Sequence, residues 1–215
     1  MILPNNIIYF YYICIVTKKH FMFKKIIFVA AFAIVAIGAS AQTKIGLKGS
    51  ISFPTVKQSE GTSSSTSSSI VTPNIGLTID FPGSKSFNIQ SGLLYNAMGG
   101  KLTDGNWNTT VNFGFLSIPV LAKFELGSGF HGYAGPQLSF LLYANEKNNH
   151  GTIDTKEEFK GSHLFGIFGL GYNLSKKVNI FGEYFAGISN LTKETRNGYK
   201  CTTNAFSIGF GINLK

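Results

Sequence analysis

Three side chains invite a hydrolytic reading. His163, Glu183 and Ser207 fall on the polar sides of three successive segments late in the chain, and a serine hydroxyl activated by an imidazole that a carboxylate orients is the arrangement of nucleophilic acyl transfer. Spacing does not fix their relative heights, and His, Glu and Ser are also ordinary packing partners, so packing is the first reading and the triad the second. Metal chemistry has less support. His131, His150, His163 and Cys201 lack paired ligand spacing, and Glu146, Asp154, Glu157 and Glu158 do not follow a calcium-loop pattern. Gly166, Gly169 and Gly171 open no strand-to-helix junction that could cradle a phosphate. No catalytic residue, metal or cofactor is expected.

The elements that carry these residues are strands. From Asn204 to Lys215, Phe206, Ile208, Phe210, Ile212 and Leu214 alternate with Ala205, Ser207, Gly209, Gly211 and Asn213, a period of two with one apolar face. Seven earlier segments, starting at Thr43, repeat the pattern less cleanly. Their connectors are by turns long and short: Pro54 to Ser69, Pro82 to Ser86, Gly99 to Asn108, Gly127 to Gly129, Asn145 to Ser162, Ser175 to Lys177, and Asn190 to Thr203. Tight turns on one rim and elaborated loops on the other are the habit of a barrel threaded through the outer membrane. The expected fold is therefore all-β, an eight-stranded antiparallel up-and-down transmembrane β-barrel, with the apolar row in lipid. A soluble lipocalin-like barrel is the alternative architecture.

On the face opposite that apolar row, the alternation places Lys44, Lys48, Asp80, Lys123, Glu125 and Glu183 inward, where ions out of bulk water persist as hydrogen-bonded pairs. A structural charge network is expected; a proton or ligand relay is the sharper reading. Tyr133, Leu141, Tyr143, Phe165, Ile167, Phe181 and Phe185 share the side of His131, Gln137, His163 and Glu183. Inward aromatics beside inward glycines predict a filled lumen and no diffusion pore. Pro73, Pro119 and Pro136 lie inside strands, where each removes a ladder donor and predicts a bulge or local break.

Ahead of the barrel, Met22 to Lys25 make a basic start, Ile26 to Ile37 an apolar run too short to span, and Ala39-Ser40-Ala41 a cleavage site. Residues 22–41 thus read as a signal peptide and 1–21 as an over-extended translation start, leaving 42–215 as one domain. Removing Lys18, Lys19, Lys24 and Lys25 takes the net charge from +9 to +5, and no basic cluster interleaved with aromatics marks a nucleic-acid surface. With Cys14 in the discarded part, Cys201 has no intramolecular partner.

The runs Gln90-Ser91-Gly92-Leu93-Leu94-Tyr95, Leu116-Ser117-Ile118-Pro119-Val120-Leu121-Ala122-Lys123-Phe124 and Gly132-Tyr133-Ala134-Gly135-Pro136-Gln137-Leu138 resemble the PorT-like outer-membrane β-barrel domains abundant in Bacteroidetes. The resemblance spans the whole of 42–215 and brings no catalytic residues with it. Such barrels commonly finish on an aromatic residue, whereas this chain finishes Leu214-Lys215. The partners expected of such a barrel are outer-membrane lipid and the barrel assembly machinery. A structural or binding role then belongs to the long loops: Gly61 to Ser69, too polar to pack; Gly99 to Asn108 with Trp107; and the charged Asn145 to Ser162. The alternative is an enzyme acting on outer-membrane lipid.

Overall fold

In a computed structural model, residues 43–104, 107–149, 151–193 and 198–214 are described. The proposed leader and over-extended start, 1–41, lie outside them. Ten strands form one antiparallel sheet: β1 (Lys44–Glu60), β2 (Ser63–Thr66), β3 (Thr72–Pro82), β4 (Phe87–Asp104), β5 (Trp107–Gly127), β6 (Phe130–Asn148), β7 (Gly151–Asp154), β8 (Ser162–Asn173), β9 (Val178–Gly187) and β10 (Lys200–Asn213), with one 3-10 turn at Lys156–Glu158. Eight of them run up and down in chain order, and β10 returns to pair with β1 from Gly46↔Asn213 to Ser59↔Lys200. That closure removes the sheet edges. The short strands β2 and β7 pair with β1 and β6 on the long-loop rim.

The two faces of the sheet have opposite chemistry. Phe206, Ile208 and Phe210 on β10 are half exposed, as are Val71, Ile75, Val120, Phe124, Phe168 and Leu170 around the circumference, while Phe113, Phe115, Phe165 and Phe185 point inward and are buried. The apolar row is thus an outer surface and not a core. From Phe206 to Leu214 it climbs roughly 27 Å along the strand, which a tilt of about 40° reduces to roughly 21 Å, close to the apolar band of a membrane barrel. Aromatic pairs lie near both edges: Phe130 and Tyr172 are 4.8 Å apart near the short-turn rim, and the hydroxyls of Tyr95 and Tyr143 meet at 2.9 Å toward the other.

Tyr143 departs from the expected inward placement. Phe115 pairs with Leu141 but Gly114 pairs with Tyr143, so a bulge inserts Leu142 and reverses the parity beyond it. Ala144 then turns inward and Tyr143 outward, with its ring over the bare backbone of Gly114. The proline expectation holds in part. Pairing of β5 with β6 skips from Pro119↔Gln137 to Ala122↔Ala134, and the Ser91 hydroxyl donates to the Pro119 carbonyl at 2.8 Å. Pro73 causes no break against β1, where Ile51↔Pro73 lies in register, and β3 begins its pairing with β4 only at Asn74.

The connectors on the long-loop rim are shorter than the sequence suggested because the strands continue above the apolar band. β4 and β5 stay paired to Asp104↔Trp107. The serine-rich Gly61 to Ser69, expected to be too polar to pack, contains β2, and Ser67 is buried with its Oγ accepting from the Val56 amide at 2.8 Å. Backbone pairing holds this segment, so its lack of apolar residues is no obstacle. At the opposite rim Gly127, Ser128 and Gly129 all take positive φ, 92°, 52° and 85°, which makes a very tight turn with one non-glycine residue in the left-handed region.

Candidate functional site: a filled lumen beneath a rim cavity

The lumen is layered. Nearest the short-turn rim are two separate ion pairs. Lys48 on β1 reaches Glu183 on β9 at 2.5 Å, and the Tyr133 hydroxyl donates to the same carboxylate oxygen at 3.1 Å. The Lys48 ammonium also lies 4.4 Å from the centre of the Phe181 ring, so aromatic faces share in offsetting its desolvation. Lys123 on β5 approaches Asp80 on β3 at 3.4 Å, and Gln90 donates to the other Asp80 oxygen at 2.6 Å. Between the pairs lies a void of about 30 Å³, lined by Lys48, Asp80, Gln90, Lys123, His131 and Tyr133, room for about one water molecule.

Lys44 lies in register opposite Asp80 and Glu125 two positions beyond Lys123 on β5. With Asp80, Lys123, Lys176 and Lys177 they line a cavity of about 610 Å³ at the short-turn rim, and among the described residues neither Lys44 nor Glu125 makes an ion pair. Trp107 opens β5 opposite Asp104; its side chain lies outside what is described.

Above the ions comes a neutral belt. Asn74 donates to Ser52, Ser117 and Ser139 share a hydrogen bond of 2.8 Å, and Gln137 donates to Asn96 at 3.2 Å. Higher still the lumen is aromatic. Phe115 packs edge-on against Phe165 and His163, with centroids 5.8 and 5.4 Å apart, and Phe113 does the same with Phe159 at 4.9 Å.

This layering separates the three residues of the hydrolytic reading. Glu183 is paired in register with Ser207 on one side and Gly169 on the other, but His163 stands six positions beyond Gly169, about 20 Å along β8. The His163 ring contacts the Lys160 carbonyl at 2.7 Å, and the Glu183 carboxylate is held by Lys48 and Tyr133. No triad forms.

Sequence reasoning missed the space above the aromatic layer. A cavity of about 1030 Å³ opens at the long-loop rim. Its apolar floor is Val56, Val111, Phe113 and Phe159; its walls bring the hydroxyls of Ser65, Thr66, Thr103, Thr109 and Thr192; and its charged lining residues are Glu60, Glu146, Glu158 and Lys101. Burial first, then the neighbouring Cys201 and Glu60, hold the Tyr199 phenol above its ordinary range, and burial pushes the Cys201 thiol up to about 11. The only sequence signal for this cup was the persistence of alternation through segments read as loops.

A closed meander with a lipid-compatible exterior, aromatic edges and a side-chain-filled interior is the architecture of a small outer-membrane barrel. The family model for the outer membrane protein beta-barrel domain matches residues 40–193, and the chain belongs to that family. Among solved structures it is similar to Neisserial surface protein A, with 13% identity, a TM-score of 0.56, and coverage of 79% of this chain and 97% of that one. It is also similar to Ail of Yersinia pestis, at 13% identity and a TM-score of 0.46 over 79% and 98%, and to OprG of Pseudomonas aeruginosa, at 11% and 0.40 over 80% and 95%. No curated protein sequence matches the chain. The protein resides in the outer membrane; in barrels of this kind the short turns are generally periplasmic and the longer loops external.

Proposed function

We propose that this protein is a non-conducting, non-enzymatic barrel that serves the cell through its extracellular rim, as a binding or structural element. The observation that carries this reading is the sequence of layers along the barrel axis: paired ions, a hydroxyl and amide belt, and packed phenylalanines close the path, while the strands and connectors rising above the membrane enclose the cup. Among the described residues His163 stands far along the axis from Glu183 and Ser207, which favours this role over lipid modification. The half-exposed apolar exterior favours it over a soluble lipocalin-like carrier. In this reading residues 22–41 direct export, outer-membrane lipid and the assembly machinery are the constitutive partners, the four paired lumen charges Lys48, Asp80, Lys123 and Glu183 are structural, and the chain falls within the PorT-like branch of its family.

The test is conductance of the detergent-folded full chain in planar bilayers, with heat-modifiable migration as the check on folding. The expected result is no steady step of porin size at any holding potential. Stable open steps would overturn the reading and assign a transport role. As a positive control for the plug, Phe115→Gly with Phe165→Gly is expected to raise the frequency of brief openings.

A further inference from the structure

The cup has a chemical bias that the rest of the molecule lacks. The chain carries 19 Lys and Arg against 10 Asp and Glu, yet the described lining residues of the cup include three glutamates, Glu60, Glu146 and Glu158, and one lysine, Lys101. None of the three glutamates has an ion-pair partner among the described residues, in contrast to Asp80 and Glu183 below. Concave walls of low polarisability concentrate the field of such a set. Beneath the carboxylates lies the apolar floor, where the Phe113 and Phe159 rings meet edge to face at 81°. At about 1030 Å³ the space matches the upper range of small-molecule pockets. Because the phenylalanine layer seals its base, whatever enters is held and not passed on.

From these features we propose that the cup is a binding site for a small organic cation with an apolar body, an amphiphilic amine whose hydrophobic part rests on Val56, Val111 and Phe159 while its charge faces Glu60, Glu146 and Glu158. The hydroxyls of Thr103, Thr109 and Thr192 supply acceptors for the remaining ammonium hydrogens. This rests on the reading of the rim as the binding face and specifies what that face takes.

The test uses the full chain in zwitterionic nanodiscs and two fluorescent probes, the planar cation proflavine and the anion 8-anilinonaphthalene-1-sulfonate, with empty nanodiscs subtracted. The expected result is saturable one-to-one proflavine binding that weakens as salt rises and no saturable binding of the anion. Replacing the carboxylates together (Glu60→Gln, Glu146→Gln, Glu158→Gln) is expected to weaken proflavine at least tenfold, and Thr109→Trp, which fills the cup, to abolish it. Lys101→Glu, at an exposed position, is expected to tighten it severalfold and guards against a loss caused by misfolding. Preference for the anion, or cation binding indifferent to the carboxylate, filling and Lys101 variants, would overturn the proposal. Such a result in a barrel that still does not conduct removes this ligand class alone; conduction removes the broader reading.

Discussion

Phe210→Arg offers the most direct check on the solvent of the outer face. Phe210 lies midway between Phe206 and Leu214, so roughly 10 Å of apolar band extends on either side of it across the bilayer. Its ring is half exposed and lies beside its cross-strand partner Gly49, in contact with the place a Cβ would occupy there. Arginine at the midplane of a membrane barrel costs about 2–4 kcal/mol, and near an interface about 0–1 kcal/mol. The assay is equilibrium denaturant unfolding of the barrel in phospholipid vesicles, comparing Phe210→Arg with Leu214→Arg and with Phe210→Ala, which isolates the lost contact with Gly49. The depth dependence is the decisive quantity, because in water an exposed surface substitution changes stability by only about ±0.5 kcal/mol at either position. Equal and small effects at 210 and 214 would refute the reasoning that hydrocarbon bathes this row.

Glu183→Gln is expected to destabilise the folded barrel by about 3–5 kcal/mol, since it leaves the Lys48 ammonium without its counter-charge, whereas the double change Lys48→Met with Glu183→Leu recovers most of the loss; both are read by the same unfolding titration. Gly169→Ala places a methyl inside the space of the Tyr133 ring and is expected to cost about 1–3 kcal/mol, while Gly161→Ala, which meets nothing within 4 Å, is the near-neutral control. Cys201 is expected to resist alkylation at pH 8, because a thiol with a pKa of about 11 is ionised about once in a thousand, against about one in four for an ordinary thiol. Its rate climbs about tenfold per pH unit up to pH 10 while migration confirms folding, and levelling off near pH 9 would contradict the burial. Ser128→Gly relieves the positive φ at the tight turn and is expected to raise stability by up to about 1 kcal/mol.

The alternation in Asn204 to Lys215 made the strand legible because each outward residue is large and apolar and each inward one small or polar. The order of long and short connectors then separated a membrane barrel from a soluble sheet. Tyr143 was misplaced because a bulge of one residue leaves no mark in an apolar run such as Leu141-Leu142-Tyr143. β2 was hidden because four polar residues have no contrast between faces. Inward charge could be read from parity, but partners could not: Lys48 lies in register with Gly211 on β10, and Gly211 with Asn179 on β9, yet Lys48 bonds Glu183 four positions farther along β9. That offset comes from the shear of the closed barrel and its lumen-crossing side chains, which no local pattern encodes. The cup left only the persistence of alternation as a trace, for a related reason: its lining comes from widely separated stretches of chain.

The seam between β1 and β10 has a consequence for biogenesis. Gly46 and Asn213 are neighbours in the wall although nearly the entire domain separates them in sequence, so the cylinder cannot be sealed until the final strand has been delivered. A nascent polypeptide halted before Lys200 would present two raw borders, one on each side of the missing stave, each free to template a neighbour's backbone. Late closure therefore makes completion of synthesis itself a condition for safe insertion, and it locates the moment of greatest aggregation hazard at the last step.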